Sequence, residues 1–291
     1  MTTTDESSFV NVADARQRDE ADASDRTLEW ILRVGAFLCF VGHGAFGIIT
    51  KEAWVPYFGV AGIGRDAAFQ LMPLVGTVDI VMGCTMLLWP LPAVAYWMTA
   101  WAVWTALLRP LSGEPGWETL ERAGNYGVPL TLALLMATPR TIGDLFRAAR
   151  VRAAFPPALA MARWALTIAV ALLMIGHGAL GVMGKTGITT NFASVVAPAA
   201  ASTLTVYGGW LEIAMGVCAL AWPQPAFLLV ICAWKLATES LFITAGAPVW
   251  ELVERGGSYA APLALAWLLS QPHASTAGAL ADAVDVEPRA V

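Results

Sequence analysis

The sequence predicts an all-α fold: a polytopic membrane bundle of eight transmembrane helices, arranged as a 4+4 parallel tandem repeat. Three observations predict this fold. Of the 291 residues, 57% are hydrophobic and 13% are charged, whereas soluble domains carry about 25% charged residues. The apolar residues form runs long enough to cross a bilayer. The two halves of the chain also repeat each other at an offset of 133 or 134 positions.

The apolar runs are bounded by proline, glycine or charged residues, and most have the length of about 20 residues that one membrane crossing needs. The eight predicted spans are 30–49, 69–89, 92–110, 124–138, 160–183, 203–222, 225–245 and 257–270. The fourth and eighth are short for a bilayer. Because backbone in lipid must be hydrogen-bonded internally, we expect these two to be tilted or partly lined by the preceding loop.

The polar residues outside the spans define the ends and the middle of the chain. Residues 1–28 hold three arginines and seven acids and are predicted to be a disordered acidic tail, as are residues 271–291. Most of the net charge of -5 lies in these tails, so it does not indicate a nucleic-acid partner. Residues 140–159 are predicted to be an arginine-rich amphipathic linker on the membrane surface, with Leu145, Phe146 and Val151 toward lipid.

The distribution of lysine and arginine predicts the orientation. With both termini on the cytoplasmic side, the inner segments hold ten of these residues and the outer loops hold six. The arginine-rich linker decides the assignment, because clustered positive charge close to spans stays on the cytoplasmic side. The sequence therefore predicts a multi-pass protein of the cell inner membrane, with the lipid bilayer as its first partner.

The internal repeat divides the chain into two membrane units. GHGAFG at 42–47 returns as GHGALG at 176–181, and the twenty residues from Gly116 match those from Val249. This assigns residues 29–139 to the first four-helix unit and residues 160–270 to the second. Because each unit has an even number of spans, both copies are expected to insert in the same orientation.

Ionisable residues within the spans are the first candidate site, because each costs roughly 2.5 to 3.5 kcal/mol to insert. Two pairs are kept by the repeat, each a histidine with a carboxylate on the next helix. A further lysine and glutamate, four residues apart, occur only in the second copy, where the first copy has Ala102 and Ala106. The predicted polar site comprises His43, Asp79, His177, Glu212, Lys235 and Glu239.

The outer loops supply a second set of repeated polar residues. In each copy a glutamate and an arginine stand four residues apart, the spacing of an ion pair on a helical turn. Such pairs serve either to cap the entry of the last helix or to take part in function. The set comprises Lys51, Glu118, Glu121, Arg122 and Tyr126, matched by Lys185, Glu251, Glu254, Arg255 and Tyr259.

The order of these motifs resembles the DoxX and DoxD-like membrane proteins. The resemblance lies in Arg33 in the first span, His43-Gly44 at its end, and a G-x-x-[DE]-x-x-x-G pattern through Asp79. It continues in the second copy through His177, Gly178, Gly209, Glu212 and Gly216. It implies four-helix units and an accessory or assembly role in quinone-linked or oxidative-stress redox systems, with a membrane or periplasmic redox partner. This chain departs from the pattern in fusing two units and in having Thr167 where Arg33 is expected to repeat.

Several chemistries stay open at this stage. A quinone site needs an apolar slot and a proton-exchanging histidine or carboxylate, which the histidine and carboxylate pairs would supply. Haem held by His43 and His177 is disfavoured, because bundles that bind haem usually carry more than the three histidines found here. The four cysteines form no C-x-x-C motif, so no metal site is expected. The alternatives are a small-solute or proton-coupled transporter with a site between the repeats, and a scaffold without turnover.

Overall fold

The computed structural model describes residues 5–136, 138–151 and 156–271, and within these ranges the chain is helical, with one isolated bridge between Met136 and Val151 and no strand. The α-helices of the first half are α1 (Asp5–Ile48), α2 (Val55–Val60), α3 (Arg65–Leu88), α4 (Pro92–Leu111), α5 (Trp117–Glu121) and α6 (Ala123–Leu135). Those of the second half are α7 (Pro156–Val182), α8 (Thr186–Ala193), α9 (Pro198–Ala221), α10 (Pro225–Thr244), α11 (Trp250–Val253) and α12 (Gly256–Ser270).

Five helices of the described ranges are long and apolar enough to cross a membrane. They are the part of α1 from Asp22 to Ile48, and α3, α7, α9 and α10. Each of the eight predicted runs lies largely within one helix, but α6 and α12 have only 13 and 15 residues. Each of these two follows a short helix, α5 or α11. The protein is therefore an all-helical membrane protein.

The prediction of a disordered start is wrong from Asp5 onward, because α1 begins there instead of near Trp30. The physical reason is that no glycine or proline occurs between Asp5 and Arg33, and alanine, arginine and glutamate in this stretch favour helix. The extension is also tied to the bundle, since the indole of Trp267 donates a hydrogen bond to the carbonyl of Ser24. The predicted tail 271–291 lies outside the described residues except for Gln271.

The linker is not the amphipathic helix that the sequence predicts. It contains a 3-10 helix, Ile142–Phe146, which Thr141 and Asp144 start by a reciprocal capping box. Phe146 is exposed, but Val151 is buried, and its backbone N–H donates to Oε2 of Glu29 at 3.3 Å. The backbone of Val151 is thus held against α1, which prevents this side chain from facing lipid. Residues 152–155 of the predicted linker lie outside the described ranges.

Glycines set the packing of the first two long helices in each half. A Cβ atom on Gly44 of α1 would lie 2.6 Å from the carbonyl oxygen of Gly76 on α3. The corresponding distance between Gly178 of α7 and Gly209 of α9 would be 2.5 Å. No side chain fits at such distances, so the two backbones are in direct contact, as small residues allow in membrane helices.

The two halves interlock through their last helices. α1 packs against α11 and α12, whereas α7 packs against α5 and α6. The helices α6 and α12 meet where Gly124 contacts Gly257, and a Cβ on Gly124 would lie 2.5 Å from the carbonyl oxygen of Gly257. Each half therefore completes the packing of the other.

The contact between the halves makes Gly124 sensitive to a single methyl group. We expect Gly124→Ala to lower the free energy of unfolding by about 1 to 3 kcal/mol, the usual cost of overpacking. Thermal unfolding in mild detergent measures this effect. Gly59→Ala is the matched control, because a Cβ there meets no atom within 4 Å. Equal melting temperatures for the two variants would contradict the close contact.

Candidate functional site

The candidate residues gather at one end of the bundle, which we call the polar end. Four long helices end here: α1, α4, α7 and α10. The short helices α5 and α11 also lie at this end, between α4 and α6 and between α10 and α12 in the chain. All sixteen side chains of the two predicted sets lie at this end or in the adjoining helical turns.

The first histidine and carboxylate pair is formed as the sequence predicts. Nδ1 of His43 lies 2.8 Å from Oδ2 of Asp79, because the glycine contact brings α1 onto α3. The imidazole stacks on the indole of Trp54 with 4.4 Å between ring centroids. The carboxylate is buried, and its other oxygen, Oδ1, has no hydrogen-bond partner within the described ranges. Asp79 thus fixes the orientation of the ring and leaves Nε2 of His43 available.

The second pair has the same geometry with more partners. Nδ1 of His177 is hydrogen-bonded to Oε2 of Glu212. The other carboxylate oxygen of Glu212, Oε1, accepts a hydrogen bond from Nε1 of Trp234 at 2.8 Å and lies 3.7 Å from Nζ of Lys235. Both oxygens of this carboxylate are therefore engaged, unlike those of Asp79.

The lysine and the glutamate of α10 form an ion pair with each other. Lys235 is fully buried, and its Nζ lies 2.7 Å from Oε1 of Glu239 one turn later. Oε2 of Glu239 lies 2.7 Å from Nε of Arg255, and Oε1 lies 4.0 Å from Nε2 of His177. The carboxylate of Glu239 is thus surrounded by three nitrogen-bearing groups.

The lysines of the outer-loop set pair across the two halves. Nζ of Lys51 lies 2.6 Å from Oε1 of Glu251, and Nζ of Lys185 lies 2.6 Å from Oε1 of Glu118. Each lysine follows the first long helix of its own half and reaches the short helix of the other half. These reciprocal ion pairs join the two halves at the polar end.

The arginines of the same set form the predicted i,i+4 pairs. Nη1 of Arg122 lies 2.9 Å from Oε2 of Glu118, and Nη1 of Arg255 lies 2.9 Å from Oε2 of Glu251. Glu121 and Glu254 each add a longer contact, of 3.3 and 3.2 Å, to the neighbouring arginine. These groups therefore form two ion-pair clusters, one completed by Lys185 and the other by Lys51, which together we call the network.

The tyrosines of the set close the same turns. The hydroxyl of Tyr126 donates to the carbonyl of Thr119, and that of Tyr259 donates to the carbonyl of Leu252. Each tyrosine therefore ties the start of α6 or α12 to the short helix before it. This contact supports a structural role for Tyr126 and Tyr259.

The charges of the network depress the pKa values of two of its carboxyl groups. Burial alone would raise the pKa of Glu251, but Arg255 and Lys51 lower it to about 2. For Glu121, Lys185 and Arg122 likewise overcome burial and hold the pKa well below its ordinary value. Glu121 and Glu251 are therefore ionised near neutral pH.

A cavity of about 230 Å³ opens between α1, α2 and α4 and extends to the network. Its walls include seven aromatic rings, those of Phe40, His43, Trp54, Tyr57, Phe58, Trp101 and Trp104. Its polar lining includes Arg109, Glu121, Arg122, Asn125, Glu239, Glu254, Arg255 and Ser258. Nε1 of Trp101 and Oδ1 of Asn125 are buried and have no hydrogen-bond partner within the described part of the chain.

The equivalent space in the second half is almost filled. The cavity beside His177 and Glu212 measures about 20 Å³. Two positions of the repeat differ here, because Lys235 and Glu239 stand where the first half has Ala102, which lines the larger cavity, and Ala106, which is fully buried. The larger cavity, which we call the first-half cavity, is also lined from the second half by Glu239, Glu254, Arg255 and Ser258.

Sequence reasoning missed Trp101, Asn125 and Arg109. Trp101 repeats as Trp234, which was a usable signal, but indoles are common at membrane interfaces. Arg109 was a lone cation at the end of a span, and its Nη1 is held by the hydroxyl of Tyr57 at 2.8 Å. Arg33, part of the resemblance, lies at the opposite end and donates from Nε to the carbonyl of Met86 at 3.1 Å, so it caps α3.

No protein-family model matches the chain, and neither the curated proteins nor the solved structures give a match. The resemblance to DoxX-like proteins therefore stays a prediction that rests on the quoted residues. Within the described ranges, no cluster of three or more histidine, cysteine or acidic side chains is arranged to hold a metal ion.

The ion-pair network predicts a loss of stability in acid. A carboxyl group whose pKa is lowered in the folded protein stabilises it above the unfolded pKa, and that contribution is lost as the pH falls through the folded value. For Glu251 we therefore expect the melting temperature to decrease as the pH falls from about 5 toward about 2. Glu251→Gln removes part of this dependence.

The matched control is Glu52→Gln. Glu52 pairs with Arg65 at 2.7 Å, but both side chains are more than half exposed, and such pairs contribute little to stability. Its melting temperature should follow that of the wild type across the pH series. A Glu251→Gln profile identical to the wild-type profile would refute the role of the network.

Proposed function

We propose that the chain is a DoxX-like protein of the cell inner membrane, a tandem duplication of a four-helix unit with eight spans and both termini cytoplasmic. The recurrence of the glycine contacts, the histidine and carboxylate pairs and the arginine pairs at an offset of 133 or 134 residues supports the duplication. The arginine-rich linker supports the orientation.

We further propose that the protein is an accessory or assembly subunit of a membrane redox system, quinone-linked or involved in oxidative stress, and that it holds a quinone ring in the first-half cavity. The aromatic cavity beside His43 is the observation that carries this proposal. Its volume suits a ring but not a long isoprenoid tail. Trp104, which is 44% exposed on the outer surface of α4, marks the side on which the tail would leave toward lipid.

The chemistry of the lining fits the oxygens of such a ring. Nε1 of Trp101 is a buried donor without a partner and can donate to a quinone carbonyl. Nε2 of His43 is free while Nδ1 contacts Asp79, so the imidazole can exchange a proton with a ring oxygen. Electrons for quinone chemistry would come from a membrane or periplasmic redox partner, as the resemblance implies.

The transport alternative, with a site between the two repeats, stays a prediction. Glu239 does line the cavity of about 230 Å³, whose walls come from both halves. Lys235 is fully buried and paired with Glu239 at 2.7 Å, and the cavity beside Glu212 measures about 20 Å³. A closed ion pair leaves little room for a solute at that position.

The proposal predicts that filling the cavity abolishes quinone binding. The measurement is titration of the protein in lipid nanodiscs with decylubiquinone, followed by quenching of tryptophan fluorescence. We expect saturable quenching for the wild type and an affinity lowered by at least about tenfold for Ala102→Leu, because tenfold corresponds to only about 1.4 kcal/mol.

Ala100→Leu is the matched control on the same helix, because Ala100 is exposed and does not line the cavity. It should bind as the wild type does. Quenching by the wild type that never saturates, or equal affinities for Ala102→Leu and Ala100→Leu, would overturn the proposed site.

A further inference from the structure

In the second half, His177, Glu212, Trp234 and Arg255 surround the ion pair of α10. We call this set of four side chains, and its first-half equivalent, the frame. The Glu239 carboxylate lies 2.7 Å from Nε of Arg255 and 4.0 Å from Nε2 of His177. Nζ of Lys235 lies 2.7 Å from the same carboxylate and 3.7 Å from Glu212. Two side chains of α10 thus supply one anion and one cation to this frame.

The first half repeats this arrangement with Ala102 and Ala106 at the positions of Lys235 and Glu239, and Glu239 also lines the first-half cavity from the opposite half. His43 contacts Asp79 as His177 contacts Glu212, and Arg122 makes the same Nη1 contacts as Arg255. Among the described residues, no side chain stands at Nε of Arg122 as Glu239 stands at Nε of Arg255.

Two unpartnered atoms of the first half correspond to paired atoms in the second, where Nζ of Lys235 in turn has no hydrogen-bond partner among the described residues. Oδ1 of Asp79 and Nε1 of Trp101 are buried without partners in the described ranges. Their counterparts, Oε1 of Glu212 and Nε1 of Trp234, are bonded to each other at 2.8 Å. Aspartate is one methylene shorter than glutamate, which leaves the indole without this partner. A buried polar atom without a hydrogen bond destabilises the fold unless another group supplies that hydrogen bond.

We propose that Lys235 and Glu239 are the built-in occupants of the second-half site, and that a ligand takes the equivalent place in the first half. This rests on the proposed function. The ligand places an acceptor oxygen between Nε2 of His43 and Nε of Arg122, as the Glu239 carboxylate lies between His177 and Arg255. Each chain therefore binds one ligand, in its first half only.

The frame also defines the chemical class of the ligand. An oxygen that accepts from a guanidinium belongs to a carbonyl, a phenolate or a carboxylate. The aromatic walls require a flat apolar body between them. A quinone and its reduced hydroxyl form meet these requirements, whereas a plain hydrocarbon chain does not.

The decisive experiment introduces a lysine and a glutamate at the first-half positions that are equivalent to Lys235 and Glu239. Ala102→Lys combined with Ala106→Glu reproduces the residues of Lys235 and Glu239, and we expect it to abolish saturable decylubiquinone binding in nanodiscs. Retained binding by a variant that elutes as a folded monodisperse species would overturn the inference. If the double variant does not fold, Ala102→Lys alone provides the same test, because Ala102 lines the cavity and the lysine would occupy its space.

The stoichiometry provides an independent test. Equilibrium dialysis of decylubiquinone should give one ligand per wild-type chain, because Lys235 and Glu239 fill the second-half site. Two ligands per wild-type chain would overturn the inference while leaving the first-half site standing. Absence of wild-type binding would instead reject the proposed function itself.

Discussion

The close contact between glycines of neighbouring helices is the constraint on which the site depends. Within lipid, helices gain little from burying apolar surface against each other, so small residues that permit close packing hold them together. Gly44 follows His43 directly, and Gly76 precedes Asp79 by three residues, less than one helical turn. The backbone contact of these two glycines therefore places the imidazole on the carboxylate at 2.8 Å. The same relation holds for Gly178 and Gly209 beside His177 and Glu212.

The ion pairs that Lys51 and Lys185 form with the opposite half join the two packed halves at the polar end. Buried charges are tolerated only when they are paired, and removal of one partner leaves the other uncompensated. Lys51 and Lys185 each satisfy a carboxylate of the opposite half, so neither half can complete its own network. The cavity wall formed by Arg122 and Glu121 is consequently positioned by Lys185, a residue of the second half.

The sequence predicted what depends on periodicity and repetition, and missed what depends on position in space. Eight apolar runs gave the helices, and the twinned motifs gave the two histidine and carboxylate pairs. They could not show that Lys51 pairs with Glu251 instead of Glu118, because the repeat surrounds both glutamates with nearly the same local sequence. The buried position of Val151 depends on a contact with Glu29, 122 residues away, which no local pattern encodes.

The cavity accompanies a difference between the halves, one with Ala102 and Ala106 and the other with Lys235 and Glu239 at the matching positions. Both halves have a histidine, a carboxylate, an indole and an arginine around the same place. In the second half, Oε1 of Glu212 accepts a hydrogen bond from the indole of Trp234, and Lys235 and Glu239 add an ion pair at the cost of desolvating two charges. The first half avoids that cost but has a cavity and polar atoms that are unpaired within the described ranges, both of which destabilise a fold. A frame kept in this unsatisfied state is stabilised when a ligand completes it, which gives the first half a binding function that the second half has replaced with its own side chains.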